Sequence, residues 1–181
     1  TLDRSSAASD VYKRQMERPA PTAGVRSPRT APYMRPFSRR CDRATAHTDT
    51  MQITHFGHSC ILVEHEGTTI LFDPGNFSHG FTGLTGLDAI LITHQHPDHV
   101  DVAALPDLVA GNPDAVLYAD PQTTRQLNDD DVAGSWTAAH PGDEFAVGGL
   151  TARITGGTHA VIHPDIPTID NVAYLLGDAA N

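Results

Sequence analysis

Ala89-Ile90-Leu91-Ile92-Thr93-His94-Gln95-His96-Pro97-Asp98-His99 is the stretch on which the fold turns. Four consecutive apolar residues read as a strand buried on both faces, at the centre of a covered sheet. The six residues that open at His94 hold three imidazoles and one carboxylate. These are the donors that a divalent transition metal takes in a hydrolytic site. A strand alternates its side chains, so His94 and His96 at its end point the same way and can hold one ion. Pro97 redirects the backbone and takes Asp98 and His99 off that period, toward a second ion. Two ions sharing a bridging water form a recurrent hydrolytic device. The plainer alternative is a polar loop with coincidental histidines. Three His and one Asp directly after a buried strand weigh against it.

Around that stretch, the chain from Met51 reads as strands, then as alternating strands and helices. Strands are expected at 51–56, 60–64 and 69–72, a β-meander broken by Gly57-His58-Ser59 and Glu66-Gly67. A loop rich in Gly, Ser and Thr comes next at 75–87, then the buried strand at 88–93. Helical spacing runs over 100–110, with Pro106 forced to sit near the helix start or to break it. A short helix with Pro at its first position is expected at 121–128. Further strands are expected at 115–119, 136–139, 144–147, 150–154 and 172–176. Strands outnumber helices. The expected fold class is α/β (α+β), with two sheets or one strongly bent sheet and helices outside.

Charge divides the chain unevenly. Residues 1–50 hold ten Lys and Arg against five acids, about +5; residues 51–181 hold Arg125 and Arg153 against seventeen acids, about −15. A boundary near Met51 is therefore expected, with 1–50 a disordered leader and 51–181 the folded domain. Pro, Arg, Ser, Thr and Ala dominate 1–50 without an apolar period, too little to offset chain entropy. The leader has no signal-peptide core. An organelle transit peptide and a basic nucleic-acid-binding arm are alternatives, but the run from Ser5 to Gln15 resembles translated sequencing-adapter DNA, a non-native leader.

Composition also excludes several classes. Cys41 and Cys60 offer no disulfide framework within the domain, and Cys60 in an apolar strand reads as a small buried residue. No apolar run reaches the ~20 residues of a membrane span, so the expected location is the cytoplasm. The acidic domain argues against a basic nucleic-acid groove and against anionic lipid. Asp129-Asp130-Asp131 lacks the spaced ligands of a calcium loop and reads as a solvated turn. His55, His65, His79 and His140 have no partners nearby in sequence and read as surface residues.

Thr93-His94-Gln95-His96-Pro97-Asp98-His99 resembles the His-x-His-x-Asp-His motif of the metallo-β-lactamase fold superfamily. Leu71-Phe72-Asp73-Pro74 resembles the strand-end Asp that precedes it. Gly156-Gly157-Thr158-His159-Ala160 resembles the next ligand motif downstream. With Gly57-His58-Ser59, the chain is most similar to the L-ascorbate-6-phosphate lactonase-like branch. The resemblance covers 51–181 and implies an αβ/βα sandwich whose N-terminal half is complete and whose C-terminal half is truncated.

By resemblance, His94, His96 and His159 would hold the first metal, and Asp98 and His99 the second. Asp73 would hydrogen-bond a ligand His and fix its tautomer. His163 competes with His159 but lies in His-Pro-Asp, which marks a turn; it and His58 are expected as substrate-pocket residues at most. A complete member also has a metal-bridging Asp and a final His. Asp178 resembles the former superficially, but Leu176-Gly177-Asp178 reads more simply as a strand entering a hairpin. Both residues are then expected beyond 181.

The implied function is a metal-dependent hydrolase that uses a metal-bound hydroxide on a small ester, lactone or phosphoester, with Asp98 as the catalytic proton acceptor. The implied cofactor is Zn2+, one or two ions, with Mn2+ or Fe2+ fitting the same ligands. The expected partner is a small-molecule substrate, with no nucleic acid and no membrane. Three alternatives stand beside this reading. A nuclease of the same superfamily would need a basic surface. A di-iron redox member would carry a carboxylate where His96 stands. The last is a non-catalytic metal-binding or inactive fragment.

Overall fold

The computed structural model describes residues 50–178. The leader reading of 1–50 falls almost wholly outside that range. The described chain runs β1 (Gln52–His55), β2 (Ile61–His65), β3 (Thr68–Phe72), β4 (Ala89–Ile92), α1 (Leu105–Ala110), β5 (Val116–Ala119), α2 (Pro121–Asp129), β6 (Thr137–Ala138), β7 (Glu144–Val147), β8 (Leu150–Thr158) and β9 (Asp170–Asp178). These form a six-stranded sheet ordered β1 to β6 and a three-stranded sheet ordered β7-β8-β9. The first three strands pair antiparallel as the expected meander, and β3 to β6 pair in parallel.

β4 explains the layering. All four of its residues are buried, and they alternate between faces. Ile90 and Ile92 join Leu71, Leu117, Leu105 and Leu108 of α1, and Leu127 of α2, in one core. Ala89 and Leu91 face the other way and pack with Val147 and Leu150 of the second sheet. The helices thus cover one face of the large sheet and the small sheet covers the other. This is the mixed α/β, two-sheet arrangement that the sequence implies.

Several boundaries differ from expectation for local reasons. The helix expected over 100–110 begins only at Leu105, with Pro106 in its first turn; before it, Asp101 organises a turn by accepting from Ala103, Ala104 and Leu105. α2 starts where Pro121 predicts, capped by Asp120, whose carboxylate accepts from Gln122 N and Thr123 N. β8 and β9 are both longer than expected, because cross-strand pairing carries them through Gly156 and Gly157 on one side and Asp170 and Asn171 on the other. Gly156 and Gly157 form a kink inside β8, with φ of +91° and +145°, conformations open to glycine and strained for other residues.

Two bonds tie the sheets together beside β4: Val172 N donates to Thr93 O at 3.0 Å, and the Tyr174 hydroxyl donates to Ile92 O at 2.9 Å. No helix among the described residues is long and apolar enough to cross a membrane.

Candidate metal centre

The carboxyl ends of β3 and β4 are neighbours in the parallel part of the sheet, with Phe72 opposite Leu91. The loop leaving β3 therefore meets the loop leaving β4. Asp73 leaves β3 with φ +44°, a left-handed conformation that Asp tolerates better than most residues. Its amide donates to Leu91 O at 3.0 Å. Its carboxylate then reaches across β4, accepting from Thr93 N at 2.7 Å and from the Thr93 hydroxyl at 2.8 Å. The second oxygen also meets His99 Nδ1 at 2.8 Å.

The two loops are locked together. Asn76 N donates to Pro97 O at 2.8 Å, and Asp101 N donates to Pro74 O at 2.9 Å. Gly75 is required at this crossing, because a Cβ there would sit 1.9 Å from the Asp98 carbonyl oxygen. The pattern Asp73-Pro74-Gly75 is thus read by the backbone of the His94–His99 loop.

Six side chains converge in two clusters. His94, His96 and His159 place one ligand atom each within 4.8 Å of one another, and so do His58, Asp98 and His99. In the first cluster His94 Nε2 lies 3.0 Å from His96 Nδ1, and the His159 ring centroid lies 4.9 Å from that of His94 and 4.8 Å from that of His96. The clusters adjoin, with the His94 and His99 rings 3.9 Å apart.

Outer hydrogen bonds assign the tautomers. His94 Nδ1 lies 3.0 Å from the Thr93 hydroxyl, whose proton is already given to Asp73. Nδ1 therefore donates, and Nε2 keeps its lone pair toward the cluster. His159 Nδ1 donates to Ala160 O at 2.8 Å, leaving Nε2 as its acceptor atom. His99 Nδ1 donates to Asp73, which again leaves Nε2. This is the arrangement by which outer partners fix ring orientation at metal sites.

Burial reinforces it. His94 is 4% exposed, and burial, with the nearby imidazoles of His99, His96 and His159 acting after it, lowers its pKa to about 3. The His96 pKa is lowered too, first by burial and then by His159. Both rings are held neutral, the form that binds metal. Three imidazoles whose ring nitrogens converge form a donor set that fits a divalent transition ion.

The residues expected at the site divide between these clusters and their surroundings. His94, His96 and His159 come together; Asp98 and His99 come together beside them; Asp73 lies behind, bonded to His99. His58 stands closer than the pocket role expected for it, with Nε2 2.8 Å from Asp98 Oδ2. No sequence spacing reveals that contact, because a turn far upstream of Asp98 makes it. His163 joins neither cluster: it sits in an exposed turn, where its Nδ1 accepts from Asp165 N at 3.2 Å. Asp178 closes β9 opposite Leu150, whereas Thr158 and Asp170 pair at the other end of that ladder. Eight residues of strand place its backbone roughly 25 Å from the His159 end, too far to bridge the clusters. His65, expected at the surface, is half-buried, and its Nδ1 has no hydrogen-bond partner among the described residues. Cys60 is fully buried, and burial pushes its thiol up to about 12, so it is an inert core residue.

Comparison with known proteins gives a consistent picture. Residues 52–180 match the family described as Beta-lactamase superfamily domain. The chain is similar to Protein Rv0786c of Mycobacterium tuberculosis, 61% identical over 129 residues covering 71% of this chain and 58% of that protein. It is also similar to a UPF0173 metal-dependent hydrolase of Rhizobium etli, 32% identical over 137 residues covering 71% of this chain and 55% of that protein. The chain thus spans somewhat over half the length of these relatives. Among solved structures, CmlA, a diiron β-hydroxylase from Streptomyces venezuelae, superposes with a TM-score of 0.57 at 17% identity, covering 73% of this chain and 28% of that one. At that identity the likeness concerns the fold alone.

Proposed function

The chain belongs to the beta-lactamase superfamily, with the metallo-β-lactamase fold, and from that premise we propose that it is part of a metal-dependent hydrolase acting on a small ester, lactone or phosphoester. The observation that carries this is the convergence of His94, His96 and His159 beside His58, Asp98 and His99 at the carboxyl end of β4. The name of the Rhizobium relative, a metal-dependent hydrolase, supports the same reading.

His94 Nε2, His96 Nδ1 and His159 Nε2 would hold one ion, and Asp98 and His99 Nε2 the second. Zinc, manganese and iron all suit these donors, and we favour zinc for the imidazole-rich first cluster. When bound, such an ion lowers the pKa of water toward 7 and polarises the oxygen of the scissile group. Asp98, with its side chain 29% exposed, faces the substrate side and would accept the proton released by the attacking water. Asp73 and Thr93 hold the His94 and His99 imidazoles in the tautomers that leave Nε2 inward.

Charge and shape narrow the substrate. After residue 50 the sequence holds two cationic side chains apart from His, Arg125 and Arg153. Arg125 lies on α2, and Arg153 is paired with Glu144. The loops around the centre instead expose Phe77, Val161 and Ile162, each at least 59% exposed. We therefore favour a neutral ester or lactone with an apolar portion over a phosphoester. A nuclease would need cationic side chains that these loops lack.

The test is hydrolysis by chelator-treated protein, with and without restored Zn2+ or Mn2+. The panel is an aryl ester, a γ-lactone and an aryl phosphodiester. Metal-dependent turnover of the ester or lactone, abolished by His94→Ala, is expected. Turnover indifferent to metal and to His94→Ala would sink the proposal, and phosphodiester preference would overturn the substrate assignment.

A further inference from the structure

The last buried residue of β8 is Ile154. From there to His159 the chain passes Thr155, Gly156, Gly157 and Thr158, none of them buried. What holds this segment is its ladder with β9. Gly156 pairs with Val172, Gly157 with Asn171 and Thr158 with Asp170, and His159 N donates to Ile169 O at 2.9 Å. His159 therefore stands where the start of β9 is placed.

We propose that Gln122 is a positioning residue for His159, fixing the start of β9 against α2. The consequence for metal binding rests on the reading of His94, His96 and His159 as a metal site; the positioning itself does not.

The start of β9 is tied down through its outer edge. Asp170 N and Val172 N lie two apart on one strand and leave the same edge. Val172 N donates to Thr93 O at 3.0 Å. Asp170 N donates to Gln122 Oε1, also at 3.0 Å. The first bond joins backbone to backbone, so no side chain controls it. The second belongs to one side chain, and in the β8–β9 register it is the tie nearer to His159.

Gln122 reaches out from a rigid point. It follows Pro121 at the start of α2. Its amide donates to Asp120 Oδ1 at 3.0 Å, and Asp120 is fully buried. Ala119, one residue earlier, lies opposite Ile92 of β4. The adjoining ends of β4 and β5 thus carry both His94 and the cap from which Gln122 reaches β9. A bond from this cap to Asp170 sets His159 relative to His94 through a short, well-held path.

The competing role is a general docking contact, whose loss loosens the whole domain. Two substitutions separate the roles. Gln122→Met keeps the length of the side chain and removes the acceptor; Gln122→Glu keeps an acceptor oxygen. Amide hydrogen exchange is followed residue by residue in metal-free protein. Each protein is then titrated with Co2+, reading the visible absorption of the ion whose uptake His94→Ala abolishes.

In Gln122→Met the His159 amide should exchange about threefold to tenfold faster, the range that loss of one hydrogen bond allows, while amides of β4 and β5 keep their rates. Co2+ affinity should fall by a similar factor, and Gln122→Glu should restore both. In a His159→Ala background, Gln122→Met should leave the residual Co2+ affinity unchanged, because its effect travels through His159. Unchanged exchange at His159, or equal acceleration across β4 and β5, would overturn the proposal. Faster exchange at His159 with wild-type Co2+ affinity would overturn the link to metal binding. If the wild type takes up no Co2+, the metal-site reading falls instead, and exchange at His159 alone decides the positioning role.

Discussion

Asp73 acts through its neighbours. One carboxylate holds the Thr93 amide and hydroxyl and His99 Nδ1, and through Thr93 it sets the tautomer of His94. Asp73→Asn exchanges one acceptor oxygen for a donor that cannot serve His99 and Thr93 together. Metal affinity should fall by about 10–100-fold, as for other outer partners of ligand histidines, with circular dichroism little changed; unaltered affinity in a metal titration would contradict the role. His94 supplies a pH test. Its pKa falls from 6.5 to about 3 in the folded chain, so between those values the unfolded chain carries a proton that the folded chain lacks. Stability of metal-free protein should therefore rise with pH across that window and drop as pH falls from neutral toward about 3. Melting curves of wild type and His94→Gln check this, the variant being less acid-sensitive. Among single residues the grouping was legible where the candidate donors are adjacent: His94, His96, Asp98 and His99 share one loop. The approach of His58 to Asp98 was not, because it depends on backbone dihedrals at Gly57 and His58 that no spacing records.

Among the elements, β4 was readable from its unbroken apolar run, since burial on both faces leaves no alternation to misread. β8 and β9 were only half readable. Gly156, Gly157, Asp170 and Asn171 have poor strand propensity and are held in the ladder by each other. The start of α1 was fixed by Pro106, but the turn before it depends on Asp101, a local bond that competes with helix. The crossing of the β3 and β4 loops rests on Gly75. Gly75→Ala drives a methyl into the Asp98 carbonyl, so the loops must part. The cost should be about 1–3 kcal/mol, as for overpacking, together with weakened binding of the second ion. A denaturant midpoint and ion affinity equal to wild type would show that the loops give way freely.

Over the whole molecule, the small sheet has two tasks. It covers Ala89 and Leu91, and it delivers His159 from the end of β8 to the end of β4. The bonds from Val172 to Thr93 and from Tyr174 to Ile92 fix that delivery. Tyr174→Phe removes the hydroxyl's bond to the Ile92 carbonyl in this seam and should cost about 0.5–1.5 kcal/mol by chemical denaturation; a neutral effect would mean that this bond does not help to hold the sheets together. This long-range pairing of sheets is the part of the fold that only the family resemblance could supply, since nothing within either sheet's sequence specifies the other. Every functional role assigned to these residues depends on two adjoining donor clusters at the end of β4 binding metal. Crystals of the chain grown with Zn2+ and measured at the zinc absorption edge would reveal bound ions as anomalous difference peaks. One peak should lie enclosed by His94, His96 and His159 and a second beside Asp98 and His99; a map with no peak at either cluster, in crystals whose side chains are otherwise placed as described, would refute metal binding there.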